Sequence, residues 1–133
     1  MKILVDTNVL VSALFYPNSN PATALYHVAN NHDLVLCDQN ISELRKVATD
    51  KFSDKTADID SFLNELKFEL IPAVESARNL ISHPKDAPIL KAAIDSNVDI
   101  IISGDNHFLS LSIEKPKTMR PADYLAFIAA TDQ

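Results

Sequence analysis

Four acidic residues, far apart in the chain, stand where a folded chain could gather their side chains. Asp6 closes the apolar run Ile3-Leu4-Val5, and Asp105 follows Ile100-Ile101-Ile102 after Ser103 and Gly104. Glu43 and Asp86 each stand at the start of a segment with helical apolar periodicity that follows a loop. If the two apolar runs are parallel strands, Asp6 and Asp105 share one edge of a sheet, the edge where α/β folds bind ligands. Converging carboxylates repel and raise one another's pKa, but they suit a hard divalent cation, Mg²⁺ or Mn²⁺. Such a cation attracts phosphate, acidifies a coordinated water and stabilises a leaving oxygen, and two ions about 4 Å apart can divide these tasks. The chemistry this points to is phosphodiester hydrolysis. An all-carboxylate set argues against zinc, and His27, His32, His83 and His107 show no metal-type spacing and are expected at the surface or in loops.

Each acidic residue also has a plainer explanation. Asp6 and Asp86 could cap helices, Asn40 with Glu43 three residues later resembles a capping box, and Asp105 in Ser103-Gly104-Asp105-Asn106 could form a turn. Capping, however, does not require strand ends that share one edge.

The elements that must position these groups follow from periodicity. Lys2 to Val5 reads as a strand, Asp6-Thr7-Asn8 as a turn, and Val9 to Leu14 as a helix. Pro21 opens a second helix, with Ala22, Leu25, Val28 and Ala29 on its apolar face, ending near Asn30-Asn31. Leu34 to Cys37 is a second buried strand, and Asp38-Gln39-Asn40 leads into a helix with Ile41, Leu44, Val47 and Ala48 on one side. The stripe Ile59, Phe62, Leu63, Leu66 predicts a helix or one arm of a helical hairpin between Phe52 and Leu66, followed by a short strand over Phe68 to Pro72 and a helix over Val74 to Leu80. The loop His83 to Pro88 runs into a helix with Ile89, Leu90, Ala93 and Ile94 inward, and Val98 to Ile102 is the clearest buried strand. A strand near Thr118-Met119 and a helix from Pro121 through Ala130 complete the chain. Strands alternating with helices predict a three-layer α/β/α fold with a mainly parallel central sheet.

Composition narrows the class. The 133 residues, 47% hydrophobic and 23% charged, predict one domain over 1–133 rather than a disordered chain. A single cysteine, Cys37, excludes an intrachain disulfide and reads as core filler. A single glycine, Gly104, excludes a Gly-x-Gly-x-x-Gly dinucleotide turn and a Walker-type phosphate loop. The first apolar run is too short for a signal peptide and no run approaches a membrane span, so the expectation is a soluble, cytoplasmic protein with no membrane partner. The net charge of −6 has the wrong sign for general attraction to a polyanion. Basic residues concentrate only at Arg45-Lys46 with Lys51 and Lys55, and at Lys115, Lys117 and Arg120; either one of these groups lines a groove toward the acidic site, or they are charges on exposed helix faces that maintain solubility.

Taken in order, Ile3-Leu4-Val5-Asp6-Thr7-Asn8-Val9-Leu10, Ser42-Glu43-Leu44, Lys85-Asp86-Ala87-Pro88-Ile89-Leu90 and Ile101-Ile102-Ser103-Gly104-Asp105 resemble the PIN-domain family of metal-dependent ribonucleases, including the VapC-like toxins of toxin–antitoxin pairs. The resemblance runs over nearly the whole chain, and its first and last segments are the specific ones. It implies that Asp6, Glu43, Asp86 and Asp105 are the metal-binding set for Mg²⁺ or Mn²⁺, that Ser103 helps orient a metal-bound water, and that Asn8 is the polar residue beside the first Asp. It further implies an RNA substrate, a small antitoxin partner whose tail occludes the acidic pocket, and a homodimer, for which Leu14 and Phe15 are candidate exposed contacts. Two departures stand out. His107 occupies a position where many relatives carry an acidic residue, and Asp86-Ala87 stands where many carry paired Asp residues, which implies weaker binding of a second ion.

Other functions compete. A phosphoaspartyl phosphatase would place a second Asp where this chain has Asn8, and asparagine cannot serve as a general acid. A receiver domain would place a Lys near the end of the late strand, where this chain has Ser103-Gly104-Asp105. A non-catalytic module acting through a protein partner would keep the fold without productive site geometry.

Overall fold

The computed structural model describes residues 1–51, 56–74, 86–111 and 113–131. The predicted helix over Val74 to Leu80, the start of the predicted helix at Phe52, and His83, Lys55 and Lys85 lie outside the described residues, apart from Val74 itself. In chain order the elements are β1 (Lys2–Val5), α1 (Thr7–Phe15), α2 (Asn20–Asn31), β2 (Asp33–Cys37), α3 (Asp38–Lys51) and α4 (Thr56–Glu65). They continue with β3 (Glu69–Ile71), α5 (Ala87–Asp95), β4 (Ile100–Ile102), α6 (Asn106–Leu109), β5 (Lys117–Met119) and α7 (Pro121–Thr131).

The five described strands form one sheet in the order β3-β2-β1-β4-β5, and every pairing is parallel. Parallel strands buried on both faces need continuous apolar sequence, which is what Ile3-Leu4-Val5 and Ile100-Ile101-Ile102 supply. Alternate residues serve opposite faces. Ile3, Val5, Leu34, Leu36, Ile100 and Ile102 pack in one core with side chains of α1, α2, α3, α4 and α7. Leu4, Val35, Cys37 and Ile101 pack in the other with Ile89, Leu90 and Ala93 of α5 and Phe108 of α6. The result is the predicted three-layer α/β/α arrangement.

Several local expectations change. α2 begins at Asn20, where Ser19 Oγ accepts the Ala22 N–H at 3.4 Å. The four-residue helix α6 has no counterpart in the sequence pattern, because Asn106 to Leu109 is too short to carry a helical period. Leu14 and Phe15, expected as exposed contacts, are half-buried against the first core, and the exposed aromatic at that end of α1 is Tyr16. Cys37 is a buried free thiol whose pKa burial pushes up to about 11, consistent with core filler.

Candidate active site

Strand order reverses beside β1: the chain runs outward to β2 and β3 on one side, then returns to place β4 and β5 on the other. The crevice beyond the carboxyl ends of strands flanking such a reversal is where α/β sheets hold ligands. Parallel β1 and β4 are in register with Val5 opposite Ile102, so the next residues, Asp6 and Ser103, emerge side by side. The Asp6 N–H donates to the Ile102 carbonyl at 3.0 Å, extending the ladder to the edge of the site.

A cavity of about 400 Å³ opens there, lined by Asp6, Thr7, Asn8, Glu43, Asp86 and Asp105 with Val11, Ser12 and Val47. All four predicted carboxylates therefore face one space, from β1, α3, the start of α5 and the turn after β4. A larger cleft of about 630 Å³ lies at the opposite edge, among Met1, His32, Asp33, Lys67 and Glu69 and their neighbours. It lies away from the strand ends that converge on the acidic cavity.

Asp6 is the fixed point. It is 5% exposed, and Ser103 Oγ donates to its Oδ2 at 2.8 Å. Asn8 Nδ2 donates to the same oxygen at 3.2 Å, while Asn40 Nδ2 donates to Oδ1 at 3.2 Å. Burial is the main cause that lifts the Asp6 carboxyl from its ordinary 3.8 to about 6; Asp86 and Glu43 push the same way, against the hydrogen bonds from Ser103 and the Thr7 backbone. Although Asp6 precedes α1, its side chain makes no capping hydrogen bond. The same holds for Asp86 before α5. For these two residues the capping explanation fails, and their carboxylates line the cavity instead.

Glu43 is half-buried, held by Thr7 Oγ1 at 3.3 Å and by Gln39 Nε2 at 3.0 Å. The capping box expected from Asn40 and Glu43 does not form, because α3 already begins at Asp38. The fully buried Asn40 instead accepts the Cys37 N–H at 3.2 Å and donates to both Asp6 and Thr7, tying β2 to the start of α1. This residue is part of the site's frame, and its sequence signal was an amide one turn before an acidic residue.

Ser103, fully buried, donates to Asp6 and accepts the Asp105 N–H at 3.0 Å, so one hydroxyl couples the two strand-end carboxylates. Asn8 closes the circuit: its Oδ1 accepts the Gly104 N–H at 3.0 Å and its Nδ2 reaches Ser103 Oγ at 3.4 Å. Asp105 does act as a turn former, accepting the His107 N–H at 2.8 Å, and it lines the cavity as well.

Histidines depart from expectation. His27 lies within α2, with Nδ1 2.7 Å from the hydroxyl of the buried Tyr124. His107 belongs to the acidic cluster: its Nδ1 lies 3.0 Å from Asp105 Oδ1 and 3.3 Å from Asp86 Oδ2. Spacing could not show this, because Asp86 and His107 meet only through the fold. Among the described residues, no basic side chain lines the cavity itself. Arg45 pairs with Asp60 at 2.8 Å, and Lys117 starts β5 at the edge opposite the cavity, whereas Arg120 follows the carboxyl end of that strand.

The donor set fits a divalent cation. Four carboxylates share a cavity in an acidic protein, and a ligand atom from each of Asp86, Asp105 and His107 lies within 4.8 Å of the others. Oxygen-rich sites of this kind suit Mg²⁺ or Mn²⁺ rather than the cysteine-rich sets of structural zinc.

Comparison with known proteins agrees with this picture. No curated protein sequence matches the chain. Among solved structures, the fold is similar to that of VapBC2 from Rickettsia felis, determined bound to a DNA fragment from its promoter. The TM-score is 0.66 at 18% identity, covering 90% of this chain and 98% of that one. The PIN domain family model matches residues 2–107, which include Asp6, Glu43, Asp86, Asp105 and the strands that bring them together, and the chain belongs to the PIN domain family.

Proposed function

We propose that this protein is a metal-dependent endoribonuclease that hydrolyses RNA phosphodiester bonds, acting as the toxin of a toxin–antitoxin pair. The observation that carries this reading is the convergence of Asp6, Glu43, Asp86 and Asp105 on one cavity at the reversal point of a parallel sheet. Family membership supports nuclease chemistry, and likeness to a VapBC2 structure supports a small antitoxin as partner.

Asp6, Glu43, Asp86 and Asp105 would hold the Mg²⁺ or Mn²⁺. When bound, the cation supplies charge neutralisation, attraction for the RNA phosphate and acidification of water. The remaining work belongs to the chain's own residues. Ser103 and Asn40 hold opposite oxygens of the Asp6 carboxylate, which fixes its plane before any ligand arrives. Thr7 and Gln39 do the same for Glu43. Asn8 locks the Gly104 backbone against the start of α1, so the two strand-end turns cannot drift apart. Preset ligands avoid reorganisation during reaction, the main source of catalytic stabilisation in such sites. Among the described residues no helix is long and apolar enough to cross a membrane. The reading places the protein in the cytoplasm as a homodimer.

The test is cleavage of labelled single-stranded RNA by purified protein with Mn²⁺ or Mg²⁺ against EDTA, with folded Asp6→Asn and Asp105→Asn variants. Metal-dependent cutting lost in both variants is the expected result. No cutting across several RNAs, with metal binding absent by calorimetry, would leave a non-catalytic module acting through a partner.

A further inference from the structure

The Asp86, Asp105 and His107 group contains a nitrogen where oxygen alone would serve a magnesium site. Its geometry begins in the backbone. Asp105 precedes the single turn of α6, and its Oδ1 takes the His107 N–H at 2.8 Å. That turn folds the imidazole back over the carboxylate, setting Nδ1 3.0 Å from Asp105 Oδ1. The same nitrogen lies 3.3 Å from Asp86 Oδ2, at the start of α5. Asp86 is held in place by burial, its side chain 12% exposed against 41% for His107, so the ring stands at the solvent side of the pair. Nitrogen and carboxylate oxygens within 4.8 Å of one another are spaced as ligands of one ion are spaced.

On the basis of the metal-nuclease reading above, we infer that His107 is a direct nitrogen ligand of the site's cation and biases the site toward Mn²⁺ over Mg²⁺. Mg²⁺ is a hard ion that favours oxygen and retains its waters, whereas first-row transition ions accept imidazole more readily. A histidine in place of a further carboxylate also removes a negative charge from the ligand set, which costs the electrostatically bound Mg²⁺ more than Mn²⁺. His107 thereby selects between two cations that four carboxylates alone would separate poorly.

The test uses untagged, full-length protein stripped of metal, so that no tag histidine contributes a signal. Mn²⁺ and Mg²⁺ binding are measured by calorimetry for the wild type, His107→Ala, His107→Asp and Asp86→Asn, with circular dichroism to confirm folding. The Mn²⁺ forms are then examined by pulsed electron paramagnetic resonance for ¹⁴N modulation. The wild type is expected to show directly coordinated imidazole nitrogen, absent from both His107 variants. Mn²⁺ affinity should fall at least about tenfold in His107→Ala, because metal sites lose about that much even when only a hydrogen-bond partner behind a ligand is removed, with a smaller change for Mg²⁺. His107→Asp should narrow the preference. Mn²⁺ bound without nitrogen modulation would overturn the inference, make His107 an ion-pair partner only, and leave the carboxylate site standing. No binding of either ion to the wild type would overturn this inference and the nuclease reading together.

Discussion

Replacing Asp6 by asparagine offers a quantitative check on the site's electrostatics, because it separates the cost of burying a charge from the value of the hydrogen bonds around it. In the folded, metal-free protein the Asp6 carboxyl titrates at about 6 instead of 3.8, chiefly through burial. The folded state therefore binds more protons than the unfolded chain between these pH values, so stability is greatest below 3.8 and falls as pH rises through 6. The whole loss amounts to ~3 kcal/mol, an order-of-magnitude figure from roughly 1.4 kcal/mol per pH unit. Asparagine carries no such charge, so the variant should lack this slope. Its own cost does not depend on pH: the new amide cannot accept from Asn40 on one side and from Ser103 and Asn8 on the other, a mismatch of about 1–3 kcal/mol. Urea unfolding in EDTA, from pH 4 to 8, should show the wild type losing stability relative to Asp6→Asn by about 2.5 kcal/mol, most of the whole loss, across the range. At pH 8 the variant should equal or exceed the wild type. Saturating Mn²⁺, at about 100 times its Kd, should restore roughly 2.7 kcal/mol to the wild type and little to the variant. A stability difference between the two proteins that stays flat with pH would refute the assignment of a buried, proton-holding Asp6.

Two further substitutions probe the frame around that carboxylate. Asn40→Ala removes the acceptor for the Cys37 N–H and the donor to Asp6 and Thr7 in a fully buried position, and should lower unfolding free energy by about 2–4 kcal/mol in denaturant titration. Ser103→Ala deletes the hydrogen bond that holds the Asp6 pKa down, so the pH midpoint for Mn²⁺ binding should move upward in calorimetry, with a stability loss of about 1–3 kcal/mol at pH 8.

Capping residues and site residues look alike in sequence, and the fold separates them by what their side chains meet. Asp6 and Asp86 both precede helices, yet neither caps one; Asp105 caps its turn and also lines the cavity. Thr7 carries no comparable signal, and Asn40 carries only that of a capping box, because an amide in a polar helix start has many ordinary uses. Their role depends on contacts across 33 to 34 positions of sequence, between Asn40 and the start of α1. His107 escapes metal-type spacing for the same reason: its distance to Asp86 is a property of how α5 and α6 are placed, which spacing within one segment does not disclose.

The sequence by itself determined the layers and one edge of chemistry. Unbroken, β-branched apolar runs such as Ile3-Leu4-Val5 and Ile100-Ile101-Ile102 suit strands covered on both faces, and parallel strands put Asp6 and the Ser103-Gly104-Asp105 turn at the same end. Strand order, the depth of Asp6 and the company of Asp86 and His107 were decided by tertiary structure. Periodicity reports which face of an element is buried, whereas the pKa of a carboxylate and the ligands within its reach depend on which other elements close over it.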